Sequence, residues 1–272
     1  MRVLYADLDG TLLGPGGSLF RDADHKPTNL GARAIEACLR AEVELVLMSG
    51  RGRSSLAEDA RLFGQTSYIY EAGACVVLDG EEHWLTGELQ GGRGSGLSIH
   101  DQITATGAPA LLLEHYAGRL EYHDPWHSGR EVSHLFRGLV DAFEATALLQ
   151  ERGISGLRLV DNGAVHRRSP ALADLPAVRA YHLVPEAASK ANGVAFHLRA
   201  RGYERAESFA VGDSREDLSC APQVGTFWLV ANAVEKDPSI REAIAQYDNV
   251  RVAEERHGAG VYEAVISTLI AP

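Results

Sequence analysis

The segment Val3-Leu-Tyr-Ala-Asp-Leu-Asp-Gly-Thr11 joins an apolar run directly to two carboxylates, a glycine and a hydroxyl. A short continuous run of apolar residues bounded by turn-forming residues is typical of a strand buried on both faces. Residues 2–8 are therefore predicted to form such a strand, with Asp7 and Asp9 at its carboxyl end. Because parallel sheets carry helices on both faces, the segment favours an α/β fold.

Strands and helices alternate along the rest of the chain in the pattern of a parallel sheet with crossover helices. Toward the middle we predict a helix from Thr28 to about Arg40, a strand at 43–48, a helix from Ser54 or Ser55 to about Phe63 and a strand at 67–70. After Pro185 we predict a helix that begins at Ser189 and Lys190, strands at 207–211 and 226–231, a short helix at 215–221 and a terminal helix at about 259–270. The fold class is thus α/β, with a Rossmann-like parallel-sheet core.

Residues 80–185 interrupt this alternation and are predicted to form an inserted α+β module. Residues 80–96 are rich in glycine and are interpreted as a loop or hinge, because they lack the preceding strand and full spacing of a phosphate-binding glycine loop. Helices are predicted around 98–118 and 132–152, and strands at 157–161, 164–167 and 177–184. Asn162-Gly163 between two short apolar runs predicts a hairpin turn. The core would then consist of residues 1–79 and 186–272.

The composition limits the classes of protein to which the chain can belong. It has 272 residues, of which 45% are hydrophobic, and a formal net charge of −11. An acidic chain with no apolar run of about 20 residues is not expected to bind nucleic acid or a membrane. Cys38, Cys75 and Cys220 are widely spaced, which predicts buried thiols in a reducing compartment. We expect a cytoplasmic protein that is a monomer or a homodimer.

Polar side chains follow three of the predicted strands and begin one helix. These residues are Asp7 and Asp9, then Ser49-Gly50-Arg51, then Asp213 and Asp217, with Lys190 at the helix start. Ligands of open α/β sheets bind at the carboxyl ends of the strands, so these segments are expected to meet. Each segment alone is typical of a turn, a helix start or a solvated charge. Their joint occurrence favours a shared site, and so does the presence of lysine at only three positions, 26, 190 and 236.

The chemistry expected of this cluster is phosphoryl transfer. Clustered carboxylates repel one another unless a cation is present, and their oxygens suit Mg²⁺. An aspartate beside Mg²⁺ and an ammonium could attack phosphorus, and a second aspartate two residues on could exchange protons with the leaving group and with water. The reaction depends mainly on positioning and charge neutralisation, which Lys190, Ser49 and backbone N–H groups would supply.

The same segments resemble the four motifs of the haloacid-dehalogenase-like superfamily of phosphohydrolases. Asp7 to Thr11 match its Asp-x-Asp-Gly-Thr motif, Ser49 and Lys190 match the second and third motifs, and Gly212, Asp213 and Asp217 match Gly-Asp-x-x-x-Asp. The resemblance implies that Asp7 is the nucleophile and Asp9 the acid/base. It further implies that the phosphoryl group is held by Thr11, Ser49, Gly50 and Lys190. The implied Mg²⁺ ligands are Asp7, the backbone carbonyl of Asp9, Asp213 and Asp217.

The position of the insertion narrows the resemblance. About forty residues separate Asp7 from Ser49, which leaves room for a loop, a helix and a strand and places the inserted module after Ser49. This arrangement resembles the class IIB or Cof-type group, which includes mannosyl-3-phosphoglycerate phosphatases and whose inserted module is a cap that selects the substrate. Two positions depart from the pattern of that group, Ala72 and Glu216, because many relatives have asparagine at each. Glu216 either adds negative charge near the metal or faces solvent.

The segment at 121–130 is the most polar and aromatic part of the predicted cap. His127 and Arg130 are candidate substrate contacts there, and Arg51 is a third in the core. His123, Asp124 and His127 could also be interpreted as a transition-metal site, but no further ligand stands at typical spacing. An ordinary polar surface loop is the alternative to both interpretations.

The predicted function is Mg²⁺-dependent hydrolysis of a small phosphorylated metabolite through an aspartyl-phosphate, with sugar phosphates as one substrate class. Transfer of the phosphoryl group to another sugar, as in a mutase, is an alternative reaction. A non-catalytic module that accepts phosphate on Asp7 is an alternative of a different class, and the presence of Asp9 argues against it because a mere acceptor needs no acid/base partner.

Overall fold

Two β-sheets organise the chain in the computed structural model, which describes residues 1–90, 96–165 and 169–270. Numbered in chain order, the strands are β1 (Val3–Asp7), β2 (Glu44–Met48), β3 (Tyr68–Tyr70), β4 (Cys75–Leu78), β5 (Glu81–Trp84), β6 (Leu120–Tyr122), β7 (His134–Gly138), β8 (Leu157–Ala164), β9 (Arg179–Pro185), β10 (Ser208–Gly212), β11 (Thr226–Leu229) and β12 (Val250–Val252). The helices are α1 (Leu30–Arg40), α2 (Arg53–Leu62), α3 (Ile99–Ala105), α4 (Ala108–His115), α5 (Ala142–Glu151), α6 (Lys190–Arg201), α7 (Arg215–Leu218), α8 (Ala231–Lys236), α9 (Ile240–Ile244) and α10 (His257–Ile270). Within the described ranges, none of these helices combines the length and the apolar character that crossing a membrane requires.

β1 lies in the middle of an eight-stranded sheet with the order β12-β11-β10-β1-β2-β3-β4-β5. The strands from β12 to β3 are parallel, and β4 and β5 extend the sheet as antiparallel strands. Asp7 lies beside Met48 of β2, and Ala6 lies beside Val211 of β10. The carboxyl ends of β1, β2 and β10 therefore meet at one edge, and the predicted parallel-sheet core is confirmed.

Alternate residues of β1 enter two different hydrophobic cores. Leu4 and Ala6 pack with residues of α1 and α10 on one face of the sheet. Val3 and Tyr5 pack with residues of α6 and β11 on the other face. Full burial of a large apolar side chain contributes about 1.5–3 kcal/mol, so the strand is fixed from both sides. Asp7 at its end consequently has a well-defined position. The three cysteines are free and buried, as expected.

The second sheet is antiparallel, with the order β6-β7-β9-β8, and lies between β5 and α6 in the chain. Helices α3, α4 and α5 cover one of its faces, where Ile103, Leu112 and Leu149 pack with Leu159 and Leu183. This confirms the inserted α+β module, which we call the cap. β5 falls within the predicted insertion 80–185, yet it pairs with β4 in the larger sheet.

Two predicted cap helices differ from the structure. In the first half of the helix predicted at 132–152, residues 134–138 form strand β7, which pairs with β6 and β9, and α5 alone is helical there. The helix predicted at 98–118 is divided into α3 and α4 at Gly107, which has a left-handed φ of 79°. The first difference depends on pairing with strands that are distant in the sequence, and the second depends on the backbone angle of one glycine.

The hairpin turn predicted at Asn162-Gly163 is wrong. Both residues lie within β8, where the pairing with β9 is irregular between Asp161 and Ala164. Gly163 has a φ of 97°, and its N–H donates to the Asp161 carboxylate at 2.9 Å. The dipeptide therefore forms a bulge rather than a turn. Part of the strand predicted at 164–167 and part of the loop predicted at 80–96 lie outside the described residues.

Candidate active site

The four motif segments meet at the carboxyl edge of the large sheet. Asp7 is the last residue of β1, Ser49 follows β2, and Asp213 follows β10. Lys190 is the first residue of α6, where the Ser189 hydroxyl caps the helix by accepting a hydrogen bond from the Asn192 N–H at 3.0 Å. The convergence expected from the strand ends is present in the structure.

Lys190 joins three carboxylates at the centre of the site. Its Nζ lies 2.8 Å from Asp7 Oδ1, 2.5 Å from Asp217 Oδ1 and 3.4 Å from Glu216 Oε2. The side chain is only 1% exposed, so these ion pairs are largely shielded from water. The Thr11 hydroxyl donates to the second Asp7 oxygen, Oδ2, at 2.8 Å. Asp7 is thus oriented through both oxygens.

Asp7, Asp213 and Asp217 form an acidic triad whose oxygens, one from each residue, lie within 4.8 Å of one another. Burial raises the pKa of Asp7 well above its ordinary range, although the Lys190 ammonium opposes the shift. Burial likewise raises the pKa of Asp213, against the opposing effect of Lys236. Carboxylates that are costly to ionise become stable anions beside a divalent cation, and their oxygens are the ligands that Mg²⁺ prefers. The triad therefore fits such a cation.

Asp217 also organises the turn that carries Asp213. Its Oδ2 accepts hydrogen bonds from the Asp213 N–H and the Ser214 N–H, both at 3.1 Å, and from the Ser214 hydroxyl at 2.6 Å. A Cβ at Gly212 would lie 2.2 Å from the Asp217 Cβ, so only glycine permits this close approach. The spacing of Gly-Asp-x-x-x-Asp follows from this packing.

Glu216 faces the site rather than solvent. Its side chain is 6% exposed, and its Oε1 accepts a hydrogen bond from the Lys190 N–H at 3.2 Å. Burial raises the pKa of Glu216, with the Lys190 ammonium opposing the shift. Of the two interpretations of this position, the structure supports added negative charge beside Lys190.

Asp9 lies at the exposed side of the site and is held by Arg51. Arg51 donates to both Asp9 oxygens at 2.7 Å, and its third nitrogen pairs with Asp59 at 2.7 Å. Arg51 also donates its backbone N–H to the Ser49 hydroxyl oxygen at 3.1 Å. Both carboxylate oxygens of Asp9 are thus engaged by the Arg51 guanidinium in this structure.

Three residues that the motifs did not indicate contact Asp213 or the neighbouring Gly10 backbone. Lys236 Nζ lies 2.9 Å from Asp213 Oδ2, and the scarcity of lysine was the one signal for it. The amide of Asn232 donates to the Gly10 carbonyl at 2.8 Å, and His257 Nδ1 lies 2.9 Å from the same oxygen. Gly10 has a φ of 89°, and a Cβ there would lie 2.4 Å from Asp213 Oδ2. Glycine at this position lets the first and fourth motifs touch.

The cap lies directly over the second motif. A Cβ on Gly50 would lie 2.7 Å from His182 Nε2 and 2.9 Å from Asn162 Nδ2, so the two cap side chains contact the glycine backbone. Arg130 Nη1 donates to the Gly50 carbonyl at 3.0 Å. Sequence reasoning identified Arg130 but not His182 or Asn162, because their contact with Gly50 depends on how the two sheets are placed.

His127 occupies a different part of the cap. Its ring stacks on Tyr122 with 4.8 Å between centroids, and its Nε2 lies 3.8 Å from Asp124 Oδ1. Among the described residues, the acidic triad is the group of potential ligands close enough to hold a metal ion. The interpretation of residues 123–127 as a transition-metal site is therefore not supported.

Glu71 anchors the cap to the core and was not predicted from the sequence. This fully buried carboxylate follows β3 and accepts hydrogen bonds from the N–H groups of Glu131, Val132 and Ser133 at 2.9, 3.1 and 2.6 Å. The next residue, Ala72, has a left-handed φ of 57° and donates its N–H to the Ser49 carbonyl at 3.1 Å. The position that departs from the resembled pattern thus supports Ser49 through its backbone.

We expect Glu71→Gln to lower the free energy of unfolding by about 2–3 kcal/mol, because the amide loses charge and presents a donor to backbone donors. Denaturant unfolding measures the change. Glu82→Gln is the matched control, since Glu82 is a partly exposed carboxylate that pairs with Arg53, and it should cost less than about 1 kcal/mol. Equal losses in the two variants would contradict an anchoring role for Glu71.

No family model matches the chain. It is 24% identical over 274 residues to a phosphoglycolate phosphatase of Methanoculleus marisnigri, which covers 97% of this chain and 95% of that protein. The sucrose-phosphatase of Synechocystis, solved with sucrose and phosphate, is similar with a TM-score of 0.62 at 17% identity and 98% coverage of both chains. A haloacid dehalogenase-like hydrolase of Bacteroides thetaiotaomicron has a TM-score of 0.62 at 14% identity, covering 98% of this chain and 99% of that one. With the four motifs meeting at one edge of this fold, the resemblance to the haloacid-dehalogenase-like superfamily seen in the sequence is confirmed at the level of the fold.

Proposed function

We propose that the chain is a Mg²⁺-dependent phosphatase that hydrolyses a small phosphorylated metabolite through an aspartyl-phosphate on Asp7. The observation that carries the proposal is the contact of a buried lysine with Asp7 inside an acidic triad. Such an arrangement neutralises a phosphoryl group and presents a carboxylate to it. The phosphatase names of the relatives with similar sequence or fold support the same reaction.

The residues that would hold Mg²⁺ are Asp7, the backbone carbonyl of Asp9, Asp213 and Asp217. Bound there, the cation supplies charge neutralisation to the carboxylates and to the phosphoryl oxygens. Asp217 contributes by holding the Asp213 backbone, and Lys236 competes with the cation for Asp213. Lys236 is 38% exposed, so it can move away from Asp213 into solvent.

The reaction follows from the contacts around Asp7. The phosphoryl group is held by Lys190, the Ser49 hydroxyl, Thr11 and the Gly50 backbone. An oxygen of Asp7 attacks phosphorus, the bond between phosphorus and the ester oxygen breaks, and Asp9 gives its proton to the departing oxygen. A water molecule then attacks phosphorus, Asp9 takes its proton, and the Asp7–phosphorus bond breaks to release inorganic phosphate and free Asp7.

The cap within residues 80–185 would exclude water and select the substrate, while the core of residues 1–79 and 186–272 carries the chemistry. We propose Arg51 and Arg130 as the groups nearest to the leaving part of the substrate, since both contact the segment at Ser49 and Gly50. His127 is a weaker candidate because it stacks on Tyr122 within the cap. The relatives' names suggest two substrate classes, a phosphorylated hydroxy acid and a phosphorylated sugar.

Removal of the metal tests the proposal. We expect treatment with a chelator and dialysis to lower phosphate release from p-nitrophenyl phosphate by at least about 100-fold, and Mg²⁺ to restore it. Ca²⁺ should not restore the activity, because its coordination is larger and less regular. Asp213→Asn should raise the Mg²⁺ concentration needed for half-maximal activity. Phosphate release that continues unchanged in chelator would contradict a metal-dependent reaction.

A further inference from the structure

Arg130 is a cap arginine whose hydrogen bonds to the described residues all go to uncharged acceptors. Its Nη1 donates to the Gly50 carbonyl at 3.0 Å and to the Ser133 hydroxyl at 2.9 Å, and its Nε donates to the Trp126 carbonyl at 3.0 Å. Other arginines of the chain pair directly with carboxylates, among them Arg51 and Arg137. Among the described residues, no carboxylate oxygen lies within ion-pair distance of Arg130.

The guanidinium of Arg130 is nevertheless withdrawn from water. Burial lowers the pKa of Arg130, and the charge that opposes the shift is Glu71. Both Glu71 oxygens already accept backbone N–H groups of Glu131, Val132 and Ser133, so this carboxylate acts on Arg130 from a distance. A partly buried cation without a contacting counter-ion lowers the stability of the unliganded protein. An anionic ligand that pairs with the cation removes this cost, so such a site favours binding of an anion.

The position of Arg130 places such a ligand beside the transferring phosphoryl group. Arg130 contacts the carbonyl of Gly50, which is one residue, about 3.8 Å along the backbone, from Ser49. The ring of His182 lies against the same glycine and is fully buried. The charges of Arg130 and Lys190 both lower the pKa of His182, after the larger effect of burial, so its imidazole is a neutral neighbour of the two cations.

The close contact of the cap with Gly50 limits the size of the ligand. Asn162 and His182 approach the glycine so closely that even a methyl group would displace them. A ligand at this point must therefore displace these two side chains, and a flat three-atom carboxylate requires a smaller displacement than a sugar ring does. A carboxylate pairs with one edge of a planar guanidinium through two parallel hydrogen bonds. At Arg130 it would use Nη2 and take the place of one of the uncharged acceptors on Nη1 or Nε.

We propose that Arg130 is a specificity-determining residue that binds a carboxylate carried by the substrate close to its phosphate ester, with His182 and Asn162 enclosing it. The substrate class is then a phosphorylated short hydroxy acid rather than a neutral sugar phosphate. This inference rests on the proposed phosphatase function and names the substrate class of the same site.

The test compares two esters that differ only in the anionic group, phosphoglycolate and 2-hydroxyethyl phosphate. The native enzyme with Mg²⁺ should have a kcat/KM at least about tenfold higher for phosphoglycolate. Arg130→Gln should lower kcat/KM for phosphoglycolate by about 10- to 100-fold and for 2-hydroxyethyl phosphate by less than about threefold. Arg137→Gln is the matched control, because Arg137 pairs with Glu121 on the same cap sheet, and it should change neither value.

The outcomes separate the inference from the function on which it rests. An equal loss for both esters in Arg130→Gln would mean that Arg130 only fastens the cap to Gly50, and it would overturn the inference. A native preference for 2-hydroxyethyl phosphate would overturn it as well. In both cases release of phosphate from p-nitrophenyl phosphate leaves the phosphatase function intact. Failure of the native enzyme to release phosphate from any ester would overturn the proposed function and this inference together.

Discussion

Asp7→Asn should lower the kcat for phosphomonoester hydrolysis by about 10⁴-fold or more. The amide has nearly the shape of the carboxylate, but its oxygen is a poor nucleophile toward phosphorus. Lys190 can still donate to the amide oxygen and the Thr11 hydroxyl can accept from the amide nitrogen, so the loss would report the chemical step rather than a displaced side chain. Phosphate release with Mg²⁺ measures the loss.

The same variant should remain folded. Burial raises the pKa of Asp7 well above that of an unfolded aspartate, so at neutral pH the ionised carboxylate lowers the stability of the native state. The uncharged amide of asparagine does not have this cost. We expect a thermal midpoint within a few degrees of the native value, or above it. Asp79→Asn, which removes a carboxylate paired with Arg201 away from the site, should leave kcat unchanged. A native-like kcat in Asp7→Asn would exclude the aspartyl-phosphate mechanism.

The sequence predicted the core correctly where the signal was local. β1 and β2 are continuous apolar runs that end in polar residues, so their burial on both faces and their parallel pairing could be inferred from the chain itself. β7 was mistaken for a helix because a short apolar segment has no decisive periodicity, and its strand conformation depends on pairing with β9. The bulge at Gly163 likewise depends on the register of β8 against β9.

The residues of the site also divide into those with a local sequence signal and those placed by contacts between distant segments. Asp7, Lys190 and Asp213 could be brought together from the sequence because each stands at a strand or helix end on one edge of the sheet. Their roles stay predictions until tested. Glu71 and His182 carried no such signal, since one is a lone glutamate after a strand and the other a histidine inside a strand of the cap. Their importance arises from contacts between the cap and the core, which a pattern within either part does not contain.

Lys190→Met should both inactivate the enzyme and destabilise it. Lys190 is the ammonium shared by Asp7, Glu216 and Asp217, and its removal leaves buried carboxylates without their main counter-charge. Breaking a buried ion pair in this way costs about 3–5 kcal/mol of unfolding free energy. Phosphate release should fall by about 10³-fold or more, because the charge that neutralises the phosphoryl group is lost. Lys26→Met is the control, since Lys26 is exposed and pairs with the exposed Asp24, and neither property should change.

The pH dependence of this variant distinguishes charge from packing. The carboxylates raise the pKa of Lys190 above its ordinary value, so its stabilising contribution is present at neutral pH and would be lost only as the pH rises through the folded-state value. Without the ammonium, the pKa values of Asp7 and Glu216, already raised by burial, rise further. Protonation then relieves their repulsion, and the stability deficit of Lys190→Met should shrink as the pH falls from about 8 to about 5. Denaturant unfolding across this range in chelator measures the deficit; one that stays constant with pH would show that Lys190 acts through packing, and the charge-neutralising role of Lys190 would be wrong.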